Sequence, residues 1–74
     1  MEKLLNLLSA YKTEIDFTKD NLVEDGELDS IDIFEIVEEL EKQYCITIPP
    51  EEIDPDNFQS ISTMYHLIEK LQEV

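Results

Sequence analysis

The segment Gly26–Ile31 (GELDSI) marks the point at which a long polar loop gives way to a helix. Gly26 is the only glycine in the chain, and glycine readily adopts the positive φ that a sharp turn needs. Asp29 suits a helix N-cap, because its carboxylate can accept a hydrogen bond from a free N–H group of the first turn. Ser30 then falls in that turn, beside the positive end of the helix dipole, where a phosphate is stabilised. In an arbitrary protein, ordinary capping would be the first explanation of these residues.

The length of 74 residues predicts a single domain over residues 1–74. One cysteine, Cys45, and one histidine, His66, are too few for an internal disulfide or a zinc cluster. We therefore expect a fold held by aliphatic packing, with no metal site and no catalytic centre built on His66. The first residues lack the features of a signal peptide, and no apolar run approaches the roughly 20 residues of a membrane span. A cytoplasmic location is the expectation that follows, and a free thiol agrees with it.

Acidic residues far outnumber basic ones: 19 aspartates and glutamates against five lysines give a formal net charge of −14. This balance argues against nucleic-acid binding, which needs a basic surface, and against binding to anionic membranes. It favours protein partners with basic patches, which long-range attraction would steer towards the chain. Solubility alone would also account for the charge. A small acidic helical adaptor that binds a basic protein is therefore one hypothesis for the function.

The spacing of the apolar residues predicts an all-α bundle of three main helices plus one short helix. In chain order, the predicted segments are a helix over residues 2–15, a loop over 16–29, a helix over 30–44, a linker over 45–53, a short helical turn over 54–59, and a last helix from a cap at Ser60 or Ser62 to about Glu73. The core face of the first helix is predicted to hold Leu4, Leu8, Tyr11 and Ile15. Cys45 is expected to be half-buried, and the apolar loop residues are expected to pack across the bundle.

The second helix divides into a core face and a face that carries Ser30. A rotation of about 100° per residue places on the core side Ile33, Ile36, Val37, Leu40 and Tyr44. Phe34 and Glu38 share the side of Ser30, and Ile31 and Glu35 flank it. Phe34 could widen the core, as is common in small bundles, or belong to a contact patch with an acidic rim. For Glu35 and Glu38, a solvated helix face is the simplest role that their positions indicate.

The acidic residues around Gly26 raise one alternative, a calcium-binding loop of the EF-hand type. When Gly26 is aligned with the glycine that such a loop requires, Val23 falls on a ligand position and Asp32 stands where a glutamate is expected. The fit is poor, so no specific calcium site is expected.

The residues that follow Ser30 carry a resemblance to a known family. The sequence DSID at residues 29–32 continues through FEIVEELE at residues 34–41 to Tyr44 and to Ile48-Pro49. This pattern resembles the acyl carrier proteins and their relatives, the peptidyl and D-alanyl carrier proteins. The similarity extends over residues 4–71, and its specific part covers residues 28–49.

The resemblance implies that Ser30 bears a covalent 4′-phosphopantetheine, with Asp29 beside it at the attachment site. It implies a carrier and not an enzyme, since an acyl or aminoacyl group is held as a thioester and presented to other proteins. The implied partners are a phosphopantetheinyl transferase, a loading ligase and a downstream acyltransferase or synthase. The residues implied for partner binding are Ile31, Phe34, Glu35 and Glu38. A monomer that does not insert into membranes is expected.

Two departures from the carriers of fatty-acid biosynthesis bear on the cargo. Those proteins commonly have a smaller aliphatic residue at the position of Phe34 and a methionine at that of Glu38. Residues 54–58 look more like the corresponding segment of D-alanyl and stand-alone peptidyl carriers. The resemblance therefore leaves fatty-acid synthesis, D-alanylation and specialised metabolism open as pathways.

Overall fold

Three α-helices make up most of the fold, joined by a long loop and by a linker with two 3₁₀ turns. The structure is a computed structural model that describes residues 2–72. Its elements, in chain order, are α1 (Glu2–Tyr11), α2 (Ser30–Tyr44), the 3₁₀ turns η1 (Pro50–Glu52) and η2 (Pro55–Phe58), and α3 (Ile61–Gln72). The described residues contain no strand, and the predicted all-α bundle is confirmed. The predicted end of the last helix at Glu73 lies outside those residues.

One apolar core joins the helices to the loop and to the linker. Leu4 and Leu8 of α1 are both buried, because residues four apart lie on one face of a helix. Phe17 in the loop and Phe58 in η2 are almost completely buried as well. Burying a side chain of this kind stabilises a fold by roughly 1.5–3 kcal/mol. The segments outside the α-helices are therefore integral parts of the core, as the apolar loop residues predicted.

Gln59, directly before α3, anchors the loop that leads into α2. Its backbone oxygen accepts a hydrogen bond from the Leu22 N–H at 2.9 Å. Its side-chain Oε1 accepts from the N–H groups of Val23 and Glu24, at 3.0 and 3.2 Å. Leu22 is buried, and its own oxygen accepts from the Leu28 N–H at 3.0 Å. The start of α2 is thus positioned by contacts to the start of α3.

Gly26 provides the turn in this loop. Its φ is +80°, as the sequence predicted. A side chain at this position would meet no neighbouring atom within 4 Å, so the backbone conformation alone accounts for a glycine here.

The first helix is shorter than predicted, and the prediction for Tyr11 was wrong. The helix ends at Tyr11, and a turn closed by the Ile15 N–H and the Lys12 oxygen, 3.2 Å apart, follows it. Ile15 reaches the core through this turn, whereas Tyr11 is 43% exposed. The apolar spacing fitted a continuing helix because the turn returns Ile15 to the side where a further helical turn would have placed it.

The end of α2 also differs from the expectation, because Cys45 is exposed and not half-buried. Cys45 adopts the left-handed conformation, with φ 54° and ψ 45°, and ends the helix. The Ile46 N–H then reaches the Glu41 oxygen at 3.3 Å, a contact typical of helix C-caps. In the linker that follows, a 3₁₀ turn at Pro50–Glu52 was not predicted; it begins at a proline, whose fixed φ suits the first position.

Ser60 caps α3, which settles the choice between Ser60 and Ser62. The Thr63 N–H donates to the Ser60 Oγ at 3.1 Å, and the Ser60 N–H donates to the Thr63 Oγ1 at 3.1 Å. These two bonds satisfy donors that a helix start would otherwise leave free.

We predict that Cys45→Gly raises the free energy of unfolding by about 1 kcal/mol, because a glycine relieves the left-handed conformation that a Cβ disfavours. Urea unfolding of the wild type and the variant measures the difference. Cys45→Ala is the matched control: it removes the thiol and keeps the Cβ, so it should not stabilise. Equal stability of the alanine and glycine variants would contradict the assignment of strain to this residue.

Candidate functional site

Ser30 is the first residue of α2, and Asp29 is the N-cap before it. The Asp32 N–H donates to the Asp29 Oδ1 at 2.9 Å, and the Asp29 N–H donates to the Asp32 Oδ2 at 3.3 Å. This reciprocal pair is a capping box. The predicted cap at Asp29 is confirmed, while the role of Asp32 was missed. The signal for it was its spacing of three residues from Asp29, with an aspartate where the motif usually has a glutamate or glutamine.

The Ser30 hydroxyl is exposed and is not needed for capping. Asp29 takes the Asp32 N–H with its side chain and the Ile33 N–H, at 3.0 Å, with its backbone oxygen. The N–H groups of Ser30 and Ile31 have no such partner among residues 2–72, as expected for the first residues of a helix. A free hydroxyl thus stands beside free N–H donors at the positive end of a helix dipole. This arrangement fits a phosphate ester on the serine oxygen.

Lys12 links the end of α1 to the first two turns of α2. Its Nζ lies 3.0 Å from the Asp32 Oδ1 and 2.7 Å from the Glu35 Oε1. The side chain of Lys12 is 15% exposed, and its ammonium group is held by these two carboxylates of α2. The hydrogen bonds to Glu35 and then to Asp32 raise the pKa of Lys12 above its usual range. This contact was not predictable from the sequence, because the partners are 20 and 23 residues away and no local pattern relates them.

The surroundings of Asp32 have two opposing effects on the pKa of its carboxyl group. Partial burial raises the pKa of its carboxyl, since a charge is less stable away from water. The hydrogen bonds from Lys12 and from the Asp29 backbone act in the opposite direction and prevail, so the pKa of Asp32 is lowered overall. Asp32 therefore stays ionised while it caps the start of α2 with Asp29 and pairs with Lys12 after α1.

The face of α2 beside Ser30 is open to solvent. Ile31 is 68% and Phe34 is 59% exposed, and Glu38 is exposed as well. The core side holds the buried residues Ile33, Ile36, Val37 and Leu40, with Tyr44 partly buried. The interpretation in which Phe34 widens the core is therefore wrong, and its predicted position on an outward face is confirmed. Glu35 is the one predicted contact residue that is already engaged, through its ion pair with Lys12.

A shallow groove of about 330 Å³ lies elsewhere on the molecule, between α1, the loop and the start of α3. Leu5, Phe17 and Ile61 form part of its lining, and no residue of α2 takes part. Ser30 therefore stands outside this groove.

Among residues 2–72, no three histidine, cysteine, aspartate or glutamate side chains are placed to hold a metal ion. None of the helices in that part of the chain has the length and apolar character needed to cross a bilayer.

Comparison with protein families assigns the fold and the cofactor. Residues 3–68 match the family model described as a phosphopantetheine attachment site. The chain belongs to this phosphopantetheine-binding carrier family. Comparisons with curated proteins and with solved structures gave no match.

Carrier domains of this family hold a covalently attached 4′-phosphopantetheine and are themselves non-catalytic. They work with a phosphopantetheinyl transferase and with partner enzymes. The family that the sequence resembles and the predicted 4′-phosphopantetheine cofactor are thereby confirmed.

We predict that Asp32→Asn destabilises the carrier domain above about pH 5, and that this effect shrinks as the pH falls below the unfolded carboxyl pKa of about 3.9. The folded pKa of Asp32 lies below its unfolded value of about 3.9. Its contribution is therefore complete above the unfolded pKa, and it is lost as the pH falls through the lower folded pKa. Thermal unfolding of the wild type and the variant between about pH 7 and pH 2.5 measures the difference.

Asp20→Asn is the control for this experiment, because it removes one carboxylate from an exposed loop position. Its effect should not follow the same pH profile. The charge of Asp32 does not stabilise the fold if wild type and Asp32→Asn differ in thermal stability by the same amount at the lowest pH as at about pH 7.

Proposed function

We propose that this chain is an acyl or aminoacyl carrier protein whose Ser30 bears the 4′-phosphopantetheine arm. The observation that carries the proposal is the exposed Ser30 hydroxyl, which the Asp29 cap leaves free at the start of α2. The attached arm supplies a thiol that holds the cargo as a thioester. The protein itself keeps the attachment point outward and rigid, so that the cargo reaches partner enzymes at a high local concentration.

Asp29 acts on the site through the backbone. Its carboxylate accepts a hydrogen bond from the Asp32 N–H at 2.9 Å. Its contribution is to fix the first turn of α2, and with it the direction of Ser30. The N–H groups of Ser30 and Ile31 are the donors that face a phosphate on the serine.

The outward face of α2 is the proposed docking surface for the transferase, the loading ligase and a downstream acyltransferase or synthase. Ile31 and Phe34 are three residues apart and thus neighbours on the helix surface, and Glu38 lies one turn beyond Phe34. Exposed apolar side chains with an acidic rim suit an enzyme surface that combines an apolar contact with basic residues. The net charge of −14 would accelerate the encounter with such a partner.

The proposed cargo class is an acyl or aminoacyl group in a pathway other than the central synthesis of fatty acids. Support comes from the exposed Phe34 and from Glu38, which depart from the fatty-acid carriers. The turn η2, with Asp54 as its cap, adds to this, because residues 54–58 look like those of D-alanyl and stand-alone peptidyl carriers.

The test of the attachment site is Ser30→Ala. We predict that this variant folds like the wild type, because it removes no core contact, and that it accepts no arm. Intact-mass measurement after incubation with a phosphopantetheinyl transferase and coenzyme A reads the modification directly. Ser62→Ala, at an exposed serine of α3, is the matched control and should be modified as the wild type is.

Two results would overturn this assignment. Transfer of the arm to the Ser30→Ala variant would place the site at another residue. A wild type that accepts no arm, yet binds a basic protein through α2, would favour the small acidic adaptor in which Ser30 only begins a helix.

We predict that Phe34→Ala slows arm transfer and changes the free energy of unfolding by no more than about 0.5 kcal/mol, as for other exposed positions. Phe58→Ala is the contrasting control, since Phe58 is fully buried and its loss should cost about 3–5 kcal/mol. Thermal unfolding and transfer kinetics on both variants distinguish docking from packing. If Phe34→Ala unfolds the domain, or leaves transfer at the wild-type rate, Phe34 has no docking role.

A further inference from the structure

Glu35 and Glu38 are close in sequence and both exposed, yet their surroundings differ. Glu35 accepts a hydrogen bond from the Lys12 Nζ at 2.7 Å. Glu38 has no cation within ion-pair distance among residues 2–72. The two carboxylates therefore differ in whether a cation of the same chain is already bound.

The Lys12 ammonium is a strong competitor for Glu35. It is held in place by a second carboxylate, Asp32, at 3.0 Å, and its side chain is only 15% exposed. A lysine or arginine of a partner would have to displace it or share the Glu35 carboxylate with it. Displacement would break one of the two ion pairs that Lys12 makes and leave its ammonium paired with Asp32 alone. At Glu38 no cation of residues 2–72 is bound: Lys42, about one helical turn beyond it, lies outside ion-pair distance.

Long-range attraction does not distinguish the two glutamates. Each contributes one unit to the net charge, and both lie on the same helix three residues apart. Direct contact does distinguish them, because the Lys12 ammonium already neutralises Glu35 through its Oε1, at 2.7 Å, whereas Glu38 has no cation within ion-pair distance among residues 2–72.

We propose that Lys12 determines which acidic residues of α2 a partner enzyme can contact: it withdraws Asp32 and Glu35 from the docking surface and leaves Glu38 as the carboxylate that meets a basic residue of the partner. Lys12 is thus a specificity-determining residue that acts through α2. This inference rests on the proposed function, and it differs from the sequence-based prediction, in which Glu35 as well as Glu38 contacts a partner.

The first experiment compares Glu35→Gln with Glu38→Gln. The two substitutions remove the same charge and so lose the same long-range steering; any difference between them reports direct contact. With a broad-specificity phosphopantetheinyl transferase and coenzyme A at about 0.15 M salt, we expect kcat/KM to fall about fivefold for Glu38→Gln, as for one exposed ion pair, and by about twofold or less for Glu35→Gln. The change is expected in KM and not in kcat, because docking and not chemistry is affected.

The second experiment removes the competitor. In a Lys12→Met background, Glu35 is free, and Glu35→Gln should then lower kcat/KM by about as much as Glu38→Gln does. Lys12→Arg keeps the cation and should behave like the wild type, with Glu35→Gln nearly silent. Circular dichroism and thermal unfolding of each variant confirm that the rates belong to folded protein.

The outcomes separate this inference from the proposed function. If the wild type is modified and Glu35→Gln is as costly as Glu38→Gln, or if the Lys12→Met background leaves Glu35→Gln nearly silent, Lys12 does not select the docking charges, while the carrier function stands. If the wild type accepts no arm, the carrier function fails and the inference fails with it.

Discussion

The reciprocal hydrogen bonds between Asp29 and Asp32 determine where α2 begins, and the site depends on them. Each residue's carboxylate accepts from the backbone N–H of the other, so the first turn is closed without help from Ser30. A serine that capped the helix itself would hold its hydroxyl against the backbone. Because two aspartates take that task, the hydroxyl is left for chemistry, and the start of the helix stays fixed when a partner approaches.

The chain has few positive charges, so each lysine contact offsets a larger share of the repulsion between carboxylates. Against 19 acidic residues the chain has five lysines. Lys12 joins α1 to α2, Lys19 pairs with Glu27 across the loop at 3.0 Å, and Lys70 of α3 pairs with Glu52 of η1. The Lys12 and Lys70 contacts join segments that are apart in the sequence, whereas the Lys19 contact lies within one loop. The remaining carboxylates repel one another, a cost that a net charge of this size imposes on any compact state.

Sequence patterns predicted those parts of the fold whose causes lie within a few residues. The cap at Asp29, the turn at Gly26 and the outward position of Phe34 follow from residue type and helical period, and all three are confirmed. The first helix was predicted four residues too long. Helical spacing of apolar residues does not show where a helix ends, because a turn can return an apolar residue to the same side of the chain.

The missed features depend on contacts between distant segments or on backbone strain. Lys12 bonds to α2 across more than 20 residues, with no local signal in either segment. The left-handed Cys45 could not be predicted from its residue type, since glycine and asparagine are the residues typical of that position. The Asp29 cap and the accessible Ser30 at the start of α2 were therefore predictable, whereas the charges available around them were not.

The anchoring of the loop by Gln59 has a consequence for motion. The N–H groups of Leu22, Val23 and Glu24 all donate to this one residue, and it lies directly before α3. Their hydrogen exchange with solvent is therefore coupled to opening at the start of α3 and not to fluctuation of the loop alone. We therefore expect the loop and the residue before α3 to open together, because three hydrogen bonds join them. Movement that brings cargo to an enzyme is thereby left to the arm, while the protein surface that the enzyme binds keeps its shape.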